Sequence, residues 1–533
     1  MHLLTIEIRN FRCFDDFSLN LEGDSLLLIA PNAGGKTSLL TAVRMALQGG
    51  RALTAADFAD PSRPLEAIAT VGDIPPAAHG AFANAMTFTQ PPQLRVGVQA
   101  AWNPREGEIE VVHGFPDGGW SRASREAREN LPVLWLPAWR DAARLLSFTG
   151  SVSLLDELVR TLDIDQALDT ALTEIASAGQ RLSRTPELQQ MLTALRDELA
   201  ALLPGVAADA YALGVDVAEP RDLLRQFELL LAHEGQPVPA VGQSGGLSQL
   251  SIFSVALKLL SVEPGALLVV DEPEQALHPH AQRALVAALH DRAGQSLIAT
   301  HSANVLNRVD PRGITRLRRS AGGDTEAVRT APIDDVEARR LTRYATAQTA
   351  EAYFARTVVL FEGISDLLAF RELAERSGIA LDAAAVTLLS LDGADVFGTY
   401  LALLGPGGLD LRLLGLCDAD REVRWSATLN RAGISVVDRA TLNAAGMEVC
   451  DPDLEAELLA ALSTAEVEQV IDADGGLAAF HAFAQQPANA ELGLAQQQLR
   501  FIQKEKVRWA PLLAAALDLQ SIPTPIVRTL GRL

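Results

Sequence analysis

The sequence predicts an α/β fold in which two sheet-based domains follow one another: a mixed sheet built around a glycine-rich strand-to-helix turn, then a smaller parallel sheet. Three observations carry this. The apolar run LEGDSLLLIA (21–30) enters the glycine-rich PNAGGKT (31–37) and then SLLTAVRMALQ (38–48), whose apolar residues recur with helical periodicity. Residues 151–203 change to a period of 3.6, with LLDELVRTLD and LQQMLTALRDELAALL each carrying one apolar face, which reads as a helical insertion. TVVLFEG (357–363), AAVTLLSLDG (384–393) and LRLLGLCDAD (411–420) are apolar strands alternating with helical segments, the texture of a parallel sheet.

The elements follow in order. LLTIEIRNF alternates as a strand, EAIATVG, QLRVGVQAAW and GEIEVVHGF are short antiparallel strands bounded by Gly, Pro and Asp, and VLWLPAW adds another. After the insertion, ALLVVDE and SLIATH are strands separated by a helix, and the Gly/Arg-rich stretch 312–324 is a late hairpin or linker. The expected domains are 1–150 with 204–345, the insertion 151–203, and 346–533.

At 533 residues the chain exceeds what one core serves. Its 48% hydrophobic and 21% charged residues exclude a mostly disordered protein. A net charge of −22 excludes a uniformly basic surface, so any nucleic-acid site is local. Three scattered cysteines form neither a disulfide framework nor a zinc knuckle, and no apolar run is long enough to cross a bilayer, so a cytoplasmic location without a membrane partner is expected. Of 45 Lys and Arg residues only Lys36, Lys258, Lys504 and Lys506 are lysine, which marks Lys36 and the Lys504/Lys506 pair as positions where a compact ammonium is needed.

Ala30 to Thr37 match a P-loop except that the first glycine is Ala30, which fits if its φ is negative. Backbone amides around Asn32, Gly34, Gly35 and Ser38 would cradle phosphates, Lys36 would reach the terminal ones, and the Thr37 hydroxyl would ligate Mg2+. Asp271-Glu272 close an apolar strand, one carboxylate for magnesium and the next for the attacking water. Ser244-Gly245-Gly246 precede a helix, and His301 follows a strand. In this order the set resembles the ABC-type ATPases, and the IRNFRCF opening with DEPE and LHP resembles the SMC-like and recombination-repair heads. That resemblance implies ATP sandwiched between two heads: Ser244, Gly245 and Gly246 on the partner's γ-phosphate, Arg12 near the chain's own nucleotide, and a homodimer or higher oligomer.

Glu362 and Asp418-Ala-Asp420 close two apolar strands, and Asp366 lies one helical turn beyond Glu362, so these carboxylates can converge on a divalent cation at one sheet edge. FEGISD, SLDG, GLCDADR and DPDLEAEL together resemble the Toprim domain of the OLD (overcoming lysogenisation defect) family, joined to its ABC-type head. The resemblance covers most of the chain. It implies Glu362, Asp366, Asp418 and Asp420 as metal-site carboxylates, Asp453, Glu455 and Glu457 as candidates for a second Mg2+ or Mn2+, and a C-terminal catalytic lysine, Lys504 or Lys506, with Lys504 taken first. The basic residues of the last thirty positions are expected to hold a DNA backbone.

The combined reading is an ATP-regulated, metal-dependent DNA endonuclease, with anti-phage defence or DNA repair implied only by family analogy. The alternative is an ATP-driven DNA-binding or signalling ATPase whose degenerate Toprim domain organises a partner effector. A helicase partner is left open. No catalytic tyrosine context or zinc segment points to a topoisomerase or a primase.

Overall fold

The computed structural model describes residues 1–533 apart from 22–24, 32, 50–52, 83, 88–90, 118, 151, 203–218, 234–235, 264, 307, 321, 330–346 and 393–395. The chain separates into two compact units, one of Met1–Val133, Val269–Pro273 and Gln295–Leu533, the other of Leu134–Leu268 and Glu274–Gly294.

The first unit contains three sheets. In the first, Phe14–Asn20, His2–Phe11, Leu65–Gly72, Leu94–Asn103, Glu108–Phe115 and Ser121–Arg122 lie side by side in that order, every pairing antiparallel. The Phe14–Asn20 strand is absent from the sequence reading because FDDFSLN carries too many acids to look apolar, yet Phe14 is buried, and Phe17 and Leu19 alternate with exposed neighbours as in a half-buried strand. In the second sheet Ser25–Ile29 lies between parallel neighbours Gln295–Ala299 and Ile314–Arg319, and beside Gln295–Ala299 comes the strand ending in Asp271. The expected late hairpin is Ile314–Arg319 with Thr325–Arg329. Buried Gln295 ties the N-terminal strand in place: its side-chain amide donates to the Leu3 carbonyl at 2.9 Å and accepts from the Leu3 N–H at 2.7 Å.

The third sheet is wholly parallel, in the order Val386–Ser390, Thr357–Phe361, Arg412–Asp418, Met447–Cys450. Its fourth strand, only four residues long, is additional to the three predicted, and it delivers Asp451-Pro452-Asp453 to the edge where Glu362 and Asp418 emerge. Helix Ile364–Arg376 packs on helix Lys506–Ala516 over a core that includes Phe361, Phe370 and Trp509.

The second unit is mainly helical. Helix Gly245–Val262 is its centre, with Ile252, Phe253, Ala256 and Leu259 buried. Among the described helices it alone is long and apolar enough to cross a bilayer, but eight of its residues are packed inside the protein. Arg140 lies over the Phe253 ring and hydrogen-bonds Gln249, fixing the loop after Val133–Leu136 to this helix. Helices Leu154–Arg160, Asp165–Ser183 and Pro186–Leu202 lie within the stretch 151–203. The exposed faces of the last two carry Ile175, Leu182, Met191 and Leu195, with Leu182 63% exposed.

Candidate active sites

The strand Ser25–Ile29 stops at Ala30, and helix Lys36–Gln48 starts six residues later. Two glycines make the intervening turn feasible. A methyl at Gly34 would lie 2.6 Å from the Ala30 Cβ, and Gly35 has φ 94°, where a Cβ would press on the Cys13 sulfur at 2.9 Å. Ala30 is not among the positive-φ residues, so the departure from a first glycine costs nothing here. The loop is one wall of a cavity of about 380 Å³ lined also by Arg12, Cys13, Thr37, Ser38, Glu272 and His301.

Within it Lys36 is buried, its ammonium donating to the Ala30 carbonyl at 3.0 Å. The Thr37 hydroxyl donates to Asp271 at 2.7 Å, which joins the two expected magnesium groups directly. Glu272 has φ 48° and its N–H bonds Ala299, so its side chain turns into the cavity at 3.9 Å from the His301 Nε2. Burial and nearby Lys36 push the His301 pKa down, favouring the neutral imidazole. Arg12 is held by Asp57 at 2.8 Å and reaches Ser38 at 3.3 Å. Asn32 lies outside the described residues. In the second unit Ser244 and Gly245 stand exposed at the N-terminus of an 18-residue helix, and a Cβ at Gly246 would crowd the Ala276 carbonyl oxygen at 3.1 Å. One neighbour escaped the sequence reading: the Phe354 ring lies 6.0 Å from that of His301.

At the other site three parallel strands end together. Glu362, Asp418 and Asp420 each offer an oxygen within 4.8 Å of the others. One Glu362 oxygen accepts from the Arg421 Nε at 2.9 Å, while the second is buried with no hydrogen-bond partner. A glutamate with one buried orphan oxygen, converging with two aspartates, is the donor set a hard divalent cation takes, so the residues fit such an ion. Burial, then the neighbouring carboxylates, raise Asp366 to about 7 and Asp418 to about 8. Asp366 also accepts from the Gly363 N–H at 3.0 Å, starting its helix.

The remaining acids divide. Glu455 is fully buried and accepts from Lys506 at 2.8 Å, with Asp453 3.9 Å from the same ammonium. Burial opposes the charge on Lys506, but Glu455, Asp453 and Asp418 outweigh it and its pKa is raised. Glu457 instead accepts from the Asp451 N–H. Lys504 sits elsewhere, its ammonium 4.2 Å from the centre of the Phe483 ring. The lysine brought to the acids is therefore Lys506, because Gln503–Glu505 form a tight turn that separates the two directions. The C-terminal arginines expected to hold DNA are engaged internally: Arg508 with Asp474 and Glu505, Arg528 and Arg532 with buried Glu448.

Comparison with known proteins gives two family matches. Residues 27–307 match the AAA-domain family described with the AbiEii toxin and Type IV TA systems, and residues 353–420 match the overcoming lysogenization defect protein-like Toprim domain. The chain belongs to that AAA-domain family, which spans more than half of it, and carries an OLD-like Toprim domain after it. The chain is 26% identical over 421 residues to the OLD nuclease of Thermus scotoductus, covering 73% of itself and 77% of that protein. Among solved structures, the C-terminal region of the Burkholderia pseudomallei OLD protein is 24% identical, with TM-score 0.27, covering 34% of this chain and 96% of that one. The SMC head domain from Thermotoga maritima is 13% identical, with TM-score 0.31, over 63% of this chain and 100% of that one.

Proposed function

We propose that the chain is an ATP-regulated, divalent-metal-dependent DNA endonuclease that works as a homodimer or higher oligomer. The observation that carries the nuclease reading is the convergence of Glu362, Asp418 and Asp420, with one Glu362 oxygen buried and unpartnered. A divalent cation bound there supplies an acidified water and charge neutralisation at a phosphodiester. Glu362, Asp418 and Asp420 hold that charge in place, Asp366 and Asp453 with Glu455 extend the acidic edge, and Lys506 brings an ammonium to the same edge. The likeness to the Thermus OLD nuclease supports DNA as the substrate.

In the other site Lys36 would compensate phosphate charge, the Thr37 hydroxyl and the Asp271 carboxylate would hold a magnesium ion, and Glu272 would orient the attacking water, with neutral His301 beside it. Exposed Ser244 and Gly245 at a helix N-terminus suit the γ-phosphate of a nucleotide on a second subunit. The open apolar face of the insertion supports dimerisation through helices Asp165–Ser183 and Pro186–Leu202.

Supercoiled plasmid incubated with Mg2+ or Mn2+ tests the reading. Nicked or linear product from the wild type, and none from Asp418→Ala, is expected. Equal cleavage by both would remove the nuclease assignment.

A further inference from the structure

The motif GLCDADR contributes three charged groups to the acidic edge, of which the arginine has no role in the reading above. Arg421 ends the short turn Ala419–Arg421 and starts helix Glu422–Arg431. Its Nε donates to Glu362 at 2.9 Å and lies 3.6 Å from Asp420, so the stem of the guanidinium is pinned to two of the three converging acids. The terminal nitrogens are not used in this way: among the described residues neither has an acceptor, and the side chain remains 28% exposed. A guanidinium anchored by Nε presents both Nη groups as a planar fork, the geometry that receives two phosphate oxygens. Lys506 meets the acidic edge from the Glu455 side, so the two cations approach it through different carboxylates.

We infer that Arg421 is a further catalytic residue, whose Nη fork binds the non-bridging oxygens of the phosphodiester being cut while Glu362 holds its Nε. The inference rests on the nuclease reading and adds a substrate contact to it. In hydrolysis a water oxygen bonds to phosphorus, the bond from phosphorus to one ester oxygen breaks, and a proton from the water ends on the departing alkoxide. Negative charge grows on the non-bridging oxygens along that path, and a fixed fork there stabilises it.

The test uses the full-length chain and the variants Arg421→Ala and Arg421→Lys beside Asp418→Ala. Plasmid cleavage by Arg421→Ala should fall by about 100- to 1000-fold, the usual loss when one such donor is removed. Arg421→Lys keeps the charge but not the fork and should remain at least about tenfold below wild type. Binding of a short DNA duplex in Ca2+, followed by fluorescence anisotropy against salt, should lose about one unit of its log–log slope in Arg421→Ala, as for one phosphate contact. Mn2+ binding to the nucleotide-free protein, measured by calorimetry, should stay within about threefold, whereas a residue that merely orients a metal ligand costs about 10- to 100-fold.

Wild-type cleavage by either Arg421 variant, an unchanged salt slope, or a tenfold loss of Mn2+ affinity would each overturn the assignment. If Asp418→Ala also cleaves normally, the nuclease reading itself has failed. If Asp418→Ala is dead and the Arg421 variants are active, only this inference falls.

Discussion

Lys506 donates to Glu455 at 2.8 Å across fifty-one positions of sequence, and Glu455 has no exposed surface. A buried carboxylate held by one ammonium fixes that ammonium in turn, so Lys506 enters the acidic edge with little freedom. Lys504, two residues earlier, points to an aromatic ring instead.

This reverses the order in which the two lysines are first ranked. Lys506→Ala should lower plasmid cleavage by about 100-fold or more if the ammonium stabilises transition-state charge. Lys504→Ala should cleave within about threefold of wild type, because its cation–π contact on an accessible surface is worth little. A dead Lys504→Ala with an active Lys506→Ala would return the role to Lys504.

For ATP, Lys36→Ala should abolish nucleotide binding in a fluorescent-nucleotide titration. Glu272→Gln should bind normally and hydrolyse about 100-fold more slowly, since it keeps the cavity's shape but loses the carboxylate facing the water. Hydrolysis by Glu272→Gln at the wild-type rate would remove that residue from the chemistry.

The raised carboxyls predict a pH effect on the metal-free protein. Asp366 and Asp418 titrate near about 7 and 8 when folded against an ordinary value of 3.8, so between these limits the native state binds more protons than the unfolded one. Stability must then fall as pH rises towards 8. Scanning fluorimetry should show the melting temperature dropping from pH 6 to pH 9, with the drop offset by Mn2+ and flattened in Asp418→Asn. A melting temperature that rises with pH and ignores Asp418→Asn would contradict the assigned burial.

The insertion predicts an assembly phenotype. Ile175→Glu with Leu182→Glu should reduce the mass seen in sedimentation velocity to that of one chain, because both side chains are exposed here and the charges would oppose burial against another copy. An unchanged oligomer would place the contact elsewhere.

Much of this was legible in the residues. Strand-ending acids such as Glu362, Asp418 and Asp271 stand out because an apolar run stops at a charge, and PNAGGKT is its own signal. Other features have no local signature. The strand Met447–Cys450 is four residues long and looks like part of a loop, and only pairing with Arg412–Asp418 makes it a strand. Which of two nearby lysines meets the acids depends on a tight turn at 503–505. Arginines 508, 528 and 532 read as a basic tail because their partners Asp474 and Glu448 lie far away in sequence. Arg421 was hidden for the same reason, since its partner is fifty-nine positions upstream.

Gln295 gives Leu3 what a neighbouring strand would give it, one acceptor and one donor in register. Its amide is a peptide group carried on two methylenes, which makes the position intolerant in a specific way. Asparagine is too short to reach, glutamate has no N–H to offer, and leucine fills the space while stranding two backbone groups, at about 1–3 kcal/mol for each. Gln295 thus adds, from nearly three hundred positions away, a third hold on a strand already paired with Phe14–Asn20 and Leu65–Gly72.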